Sequence, residues 1–182
     1  MTGTWVWSNP IPHVYQDSPA NCCPASFVNQ LASVGVITDQ DTLAQQMGTT
    51  SSGTNWYPGA MTALNKIVGA QYVYTVRVLS SAADLMAEMQ YEIRAFGSAL
   101  VAPTVEGKLP WVNDPTNSLG HDIVVYGYNT GQSTTAGGAL YCWDPAPGRG
   151  YEWVTAQDLF NALQANNGSS TAKAVYEFSE AW

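Results

Sequence analysis

The sequence predicts an α+β fold, in which helices pack on an antiparallel sheet. Apolar residues at helical spacing dominate the first half of the chain, and short runs rich in Val, Tyr and Ile follow them. Of the 182 residues, 46% are hydrophobic and only 11% are charged, which excludes an intrinsically disordered chain. The Gly-, Ser- and Asn-rich loops are typical of turns rather than linkers, so we expect a single domain over residues 1–182.

The first predicted helix runs from about Asn21 to Val34, because apolar side chains from Phe27 onward share one helical face. Asn21 is a suitable N-cap and Gly35 a suitable end. Further helices are predicted at Asp39–Met47, Pro58–Val68, Ala82–Phe96 (capped by Ser81) and Thr155–Ala165. Strands are predicted at Gln71–Val78, Ala99–Val105, Asp122–Tyr128, Ala139–Trp143 and Ala174–Phe178, after an extended lead-in at Thr4–Tyr15.

The charge balance limits the possible partners. Fourteen acidic residues against six basic ones give a net charge of −8, which repels phosphate backbones and anionic membrane surfaces. No apolar run approaches the roughly 18 residues that a membrane-spanning helix needs. We therefore expect neither nucleic acid nor membrane as a partner, and we expect a monomer.

The residue composition also bears on the cellular compartment. The chain has few Lys residues, many Ser, Thr, Asn, Gln and Gly residues, seven Trp and ten Tyr, a pattern that favours a secreted bacterial protein over a cytoplasmic one. No N-terminal segment combines positive charge with an apolar stretch. The expectation is therefore a mature secreted form without a signal peptide.

The chain contains three cysteines, Cys22, Cys23 and Cys142. They are too few for a disulfide scaffold and lack the paired spacing of a zinc site, so we expect no metal and no other cofactor. A free Cys with a His far away in sequence is typical of a catalytic nucleophile. Cys22 stands at the predicted start of a helix, where free amides and the helix dipole favour a thiolate. An inert buried cysteine is the usual alternative, but it does not account for that position.

His121 and Asp144 are the candidate partners of this thiol. His121 follows Gly120 and opens an apolar strand, and an imidazole there would take and return the proton of a nucleophile. Asp144 ends a predicted strand, from which its carboxylate would orient the imidazole. Taken alone, each motif favours a plainer explanation, His121 as a structural histidine and Asp144-Pro145 as an ordinary turn.

The order of these motifs is similar to that of papain-like cysteine peptidases. Gln16 stands six positions before Cys22, and Gly120-His121 with its apolar strand and then Asp144-Pro145 follow. The pattern most resembles the bacteriocin leader peptidases and their free-standing relatives, over roughly Pro12 to Leu163. The resemblance implies a papain-like fold, with a nucleophile at a helix start packed on a C-terminal antiparallel sheet. It also implies that Cys22 attacks, His121 shuttles the proton, Asp144 orients it and Gln16 helps form the oxyanion hole.

Cys23 departs from the family pattern, which usually has Gly after the nucleophile. The spacing of Cys22 from Gln16, and the Pro24-Ala25 pair that follows the two cysteines, favour Cys22 over Cys23 as the nucleophile. Cys23 is then interpreted as a packing residue, with a strained vicinal disulfide as the alternative. Asn55 and Trp56, in a loop of small residues, and Gly120 are candidates for substrate binding, although the loop is equally explained as a surface turn.

The function predicted from these residues is a cysteine peptidase that hydrolyses a peptide or amide bond through a thioester acyl-enzyme. An acyltransferase or peptide ligase with an amine acceptor is the alternative, because the acceptor pocket rather than the triad separates the two. A binding module on an inactive peptidase fold is a third possibility. The presence of Cys, His, Asp and Gln together argues against it.

Overall fold

A seven-stranded antiparallel sheet organises the computed structural model, which describes residues 4–55, 59–69, 72–129, 139–166 and 174–180. The strands are β1 (Trp5–Trp7), β2 (Tyr72–Val78), β3 (Leu100–Val105), β4 (Gly120–Asn129), β5 (Ala139–Asp144), β6 (Gly150–Thr155) and β7 (Ala174–Glu180). Their order across the sheet is β2-β7-β3-β4-β5-β6, and β1 pairs with β4.

Strand β4 lies in the middle of the sheet and has three neighbours. Its first residues, Gly120–Val125, pair with β3, and its last, Gly127–Asn129, pair with β1. Strand β5 occupies the other edge of β4. The residue that opens β4 and the residue that ends β5 therefore come to the same end of the sheet, since the two strands run antiparallel.

Helices cover both faces of this sheet, which confirms the predicted α+β class. They are α1 (Cys22–Ser33), α2 (Gln40–Met47), α3 (Met61–Val68), α4 (Ala82–Phe96) and α5 (Ala156–Gln164). Buried side chains of α4 and α5 share one core with the central strands, including Leu85, Leu159 and Val125. A second core joins α1, α2 and α3 to Tyr74 of β2 and Val101 of β3. No helix in the described part of the chain is long and apolar enough to cross a bilayer.

The predicted helices and strands are present among the described residues, with ends within a few residues of those expected from the sequence. The predicted first residues Pro58 and Gln71 lie outside the described residues. The predicted caps Ser81 and Thr155 are confirmed, because each side chain accepts a hydrogen bond from the backbone amide three residues on. The capping role predicted for Asn21 is wrong. Its side-chain amide instead donates to Asp17 Oδ1, and it makes no cap hydrogen bond. Strand β6 was not predicted, and β1 was predicted only as extended chain.

An aromatic face covers the β1, β4, β5 and β6 part of the sheet. Ring contacts connect Trp5, Trp7, His13, Tyr15, Tyr126, Tyr141, Trp143 and Tyr151. Gly127 lies beneath the Trp7 ring, where a Cβ atom would stand 2.5 Å from ring carbon Cε3. Any residue other than glycine at position 127 would therefore displace the Trp7 ring from its position over β4.

Candidate active site

The start of α1 is held against the start of β4. Ser26 donates a 2.9 Å hydrogen bond from Oγ to the backbone oxygen of Asp122. Cys22 lies one turn earlier on the same helix, and its Sγ is 3.9 Å from Oδ2 of Asp122. Since Asp122 follows His121 directly on β4, this packing brings the predicted nucleophile to the strand end that carries the predicted base.

His121 and Asp144 form a buried pair at that end of the sheet. Nε2 of His121 is 2.7 Å from Oδ1 of Asp144, and both side chains are buried. Pairing of β4 with β5 places the two residues on adjacent strands. The hydrogen bond fixes the orientation of the imidazole and leaves its other nitrogen, Nδ1, free of Asp144.

Three further donors surround the Asp144 carboxylate. Trp111 Nε1 donates to Oδ2 at 2.8 Å, and the Ala146 amide donates to Oδ1 at 2.9 Å. Arg149 Nη1 lies 3.2 Å from Oδ2, and the same guanidinium pairs with Glu106. Burial alone would raise the pKa of Asp144, but the hydrogen bond and charge of His121, with the Trp111 and Ala146 donors, hold it below its ordinary value.

Trp111 and Arg149 are residues of this site that the sequence analysis did not find. Trp111 lies in a polar loop that the sequence marks only as a turn, and no spacing rule connects it to Asp144. Arg149 carried a weak signal, since it is one of only six basic residues and follows Asp144 by five positions.

Gln16 lies beside the end of β5. Its backbone amide donates to the Pro145 oxygen at 2.8 Å, and its Nε2 donates to the Ser18 oxygen at 3.0 Å. Its Oε1 is buried and has no hydrogen-bond partner among the described residues. The segment from Gln16 to Cys22 therefore connects the Asp144 end of β5 with the start of α1.

The pKa of Cys22 differs from the expectation at a helix start. Burial first, and the negative charge of Asp122 second, raise it to about 12. The sequence argument considered only the helix terminus, which lowers a thiol pKa, and it had no measure of burial. Asp122, whose Oδ2 lies 3.9 Å from Cys22 Sγ, was also not recognised from the sequence as part of the site.

Cys23 is a packing residue, in agreement with the first of the two interpretations. Its side chain is buried in the core that includes Phe27 and Leu31. Cys22, Cys23 and Cys142 are all free thiols, so the structure contains no vicinal disulfide. The Cys23 thiol interacts with Thr54, which places the loop of residues 49–55 beside the start of α1.

The residues predicted to bind substrate are only partly placed. Asn55 is exposed, follows Thr54, and accepts a hydrogen bond from the Ala60 amide through its backbone oxygen. Gly120 is exposed next to His121, and a Cβ atom there would meet nothing within 4 Å. Trp56 lies outside the described residues. Within the described ranges, no group of three or more His, Cys, Asp or Glu side chains is arranged to hold a metal ion.

Comparisons with known proteins agree with this fold. The model of the Peptidase_C39 like family matches residues 8–170. No curated protein sequence matches the chain. Among solved structures, a C39-like peptidase from Bacillus anthracis is similar with a TM-score of 0.70 at 13% identity, over 98% of this chain and 100% of that one.

Two transporter peptidase domains are also similar in fold. The peptidase domain of Streptococcus ComA, a bifunctional ABC transporter involved in quorum sensing, has a TM-score of 0.60 at 18% identity, over 92% of this chain and 96% of that one. A double glycine motif protease from an AMS/PCAT transporter, solved in complex with its leader peptide, has a TM-score of 0.56 at 14% identity, over 99% of each chain.

Proposed function

Because this chain belongs to the Peptidase_C39 like family, we propose that it hydrolyses a peptide or amide bond with Cys22 as nucleophile, His121 as base and Asp144 as orienting carboxylate. The observation that carries the proposal is the buried 2.7 Å contact of His121 with Asp144, at the strand end against which Cys22 is packed. An imidazole held by a carboxylate and a helix-start thiol, at one end of the sheet, are the groups that nucleophilic catalysis needs.

The proposed reaction passes through a thioester. Nδ1 of His121 takes the thiol proton while Cys22 Sγ attacks the carbonyl carbon of the substrate. The Cys22 backbone amide and the Gln16 side-chain amide stabilise the resulting oxyanion. His121 then protonates the leaving amine, and the thioester remains. Water, deprotonated by His121, hydrolyses the thioester and restores the thiol.

The proposed substrate is a peptide. A structural neighbour is a protease in complex with a leader peptide, and the open space at Gly120 leaves the backbone next to His121 accessible. The net charge of −8 favours neutral or basic peptides over acidic ones.

Substitution at Cys22 tests this function most directly. Cys22→Ala is expected to reduce turnover of a peptide library by roughly 10³-fold or more, and His121→Ala by a similar factor, because the members of such a unit act together. Iodoacetamide is expected to modify Cys22 before Cys23, as read by peptide mapping in a mass spectrometer.

Cys23→Ala is the matched control, since it removes the neighbouring thiol and is expected to keep most of the activity. Full turnover in Cys22→Ala, or its loss only in Cys23→Ala, would contradict the assignment. Adding amine acceptors to the same assay separates hydrolysis from acyl transfer, because transfer yields an amide product of higher mass.

A further inference from the structure

Asp122 is a buried acidic residue that the proposed reaction does not use. Only 3% of its surface is exposed, and its carboxyl group lies against two thiols, those of Cys22 and Cys23. Its Oδ2 is 3.9 Å from Cys22 Sγ, and its backbone oxygen is held by Ser26. The carboxyl group therefore has a fixed position at the candidate nucleophile.

The surroundings of Asp122 differ from those of Asp144. Among the described residues no Lys or Arg side chain forms an ion pair with Asp122, whereas Asp144 accepts from Arg149, Trp111, His121 and a backbone amide. The titratable groups that face Asp122 are the two thiols of α1, and His121 is its neighbour on β4. Burial raises the pKa of Asp122 well above its ordinary value, against the smaller opposing effect of the hydrogen bonds with the two thiols, and this direction favours the neutral acid.

We propose that Asp122 is a positioning residue that works as a neutral carboxylic acid and donates its proton in a hydrogen bond to the sulfur of Cys22. This inference rests on the proposed function, in which Cys22 is the nucleophile. A thiolate is the stronger acceptor for such a donor, so the hydrogen bond strengthens as the sulfur loses its proton to His121. The proton of Asp122 stays on its carboxyl group throughout, and Asp122 neither gains nor loses charge.

The ionisation state of Asp122 decides whether it helps or hinders the thiol. Burial is the first cause of the high pKa of Cys22, and Asp122 would raise that pKa further only as an anion, because its charge would then repel the thiolate. A neutral Asp122 carries no charge that repels the thiolate, and its O–H group is able to donate a hydrogen bond to Cys22 Sγ. Two carboxyl groups at one end of the sheet then have opposite roles, because Asp144 orients the imidazole as an anion and Asp122 donates to the sulfur as a neutral acid.

The pH dependence of Cys22 alkylation by iodoacetamide tests this assignment. Asp122→Asn keeps a neutral donor of the same shape and is expected to leave the apparent thiol pKa and the rate within about threefold of the parent. Asp122→Leu removes the donor and is expected to raise the apparent thiol pKa by about one unit or more, which slows alkylation near neutral pH about tenfold. Asp41→Asn, at an exposed position of α2, is the control for a lost charge.

Two results would overturn the proposal. Faster alkylation and a lower thiol pKa in Asp122→Asn would show that the parent residue is ionised. Parent-like alkylation in Asp122→Leu would show that no hydrogen bond from Asp122 supports the sulfur.

Infrared difference spectroscopy gives an answer that does not depend on the folding of Asp122→Leu. The parent is expected to show the C=O stretching band of a protonated carboxyl group at neutral pH, which is absent in Asp122→Asn and shifts when Cys22 is alkylated. A parent spectrum without that band, or a band indifferent to alkylation, refutes the inference. Turnover in Cys22→Ala tests the proposed function separately, because neither infrared result requires activity.

Discussion

Asp144 is a carboxylate without solvent exposure, and four donors surround its two oxygens: His121, Trp111, Ala146 and Arg149. A buried anion is stable only when such donors replace the lost water. These donors also fix the side chain in one position. The orientation of the His121 ring therefore depends on residues that do not themselves touch substrate in the proposed reaction.

Asp144 is expected to make the free energy of unfolding depend on pH in the acid range. Its pKa is lower in the folded state, so its contribution is fully present above the unfolded value of about 3.9 and is lost as the pH falls through the folded value. Asp144→Asn is expected to unfold more easily at neutral pH by about 1.5–3 kcal/mol, the range for a hydrogen bond to a charged group. Its unfolding free energy should then fall less steeply than that of the parent below about pH 4.

Urea unfolding at a series of pH values measures both effects. Asp41→Asn, which removes an exposed carboxylate of α2, is the control for the loss of a surface charge. An Asp144→Asn variant whose unfolding free energy parallels that of the parent down to the lowest pH would contradict the assigned direction of the pKa.

Strand β1 is short and is held on β4 by side chains as much as by its three paired residues. Trp7 pairs with Gly127, and the Trp7 ring, 44% exposed, lies over that glycine. The same ring contacts Tyr126 and Tyr141. The absence of a side chain at Gly127 is therefore a packing requirement of the aromatic face.

Gly127→Ala is expected to reduce the unfolding free energy by about 1 kcal/mol, at the lower end of the range for overpacking, because the exposed Trp7 ring has room to swing outward. A double-mutant cycle in urea isolates the cause. In a Trp7→Ala background the same substitution should cost little, since the clashing ring is gone. An equal cost in both backgrounds would place the penalty in the backbone of β4 instead.

A feature of the fold could be predicted from the sequence when the residues that determine it lie close together in the chain. Helices α4 and α5 begin after the N-caps Ser81 and Thr155, whose side chains accept hydrogen bonds from amides three residues on, and both caps were predicted. The Asn21 cap failed because Asp17, four residues before it, offered its side chain another partner. Strand β6 was missed although Tyr151 and Trp153 alternate with Glu152, because its last residue, Thr155, is also the cap of α5.

The same distinction applies to the candidate site. His121 and Asp144 carry short motifs and were predicted, and the structure brings them into contact. Trp111, Arg149 and Asp122 are defined only by contacts across strands and loops, with sequence separations as large as the 100 positions between Cys22 and Asp122. The raised pKa of Cys22 was missed for a similar reason, because burial is a property of the packed molecule.

For the molecule as a whole, we expect peptidase activity that needs no added metal. A cysteine side chain supplies the attacking atom and an imidazole moves the proton in the proposed reaction. Turnover should therefore survive EDTA and be lost after treatment with iodoacetamide. Activity that disappears with the chelator and returns with zinc or calcium would contradict this expectation.

The place of β7 in the sheet has a consequence for biosynthesis. β7 lies between β2 and β3, and β2 pairs with β7 at the edge of the sheet. Since β2 ends at Val78 and β7 begins at Ala174, β2 is synthesised well before its partner strand. Strands β3, β4 and β5, which carry or border His121 and Asp144, pair with one another without it. Helix α1, in contrast, shares its core with Tyr74 of β2. During translation the strands that carry His121 and Asp144 are thus able to pair early. The core on which α1 packs is completed only after β7 has been synthesised and has paired with β2.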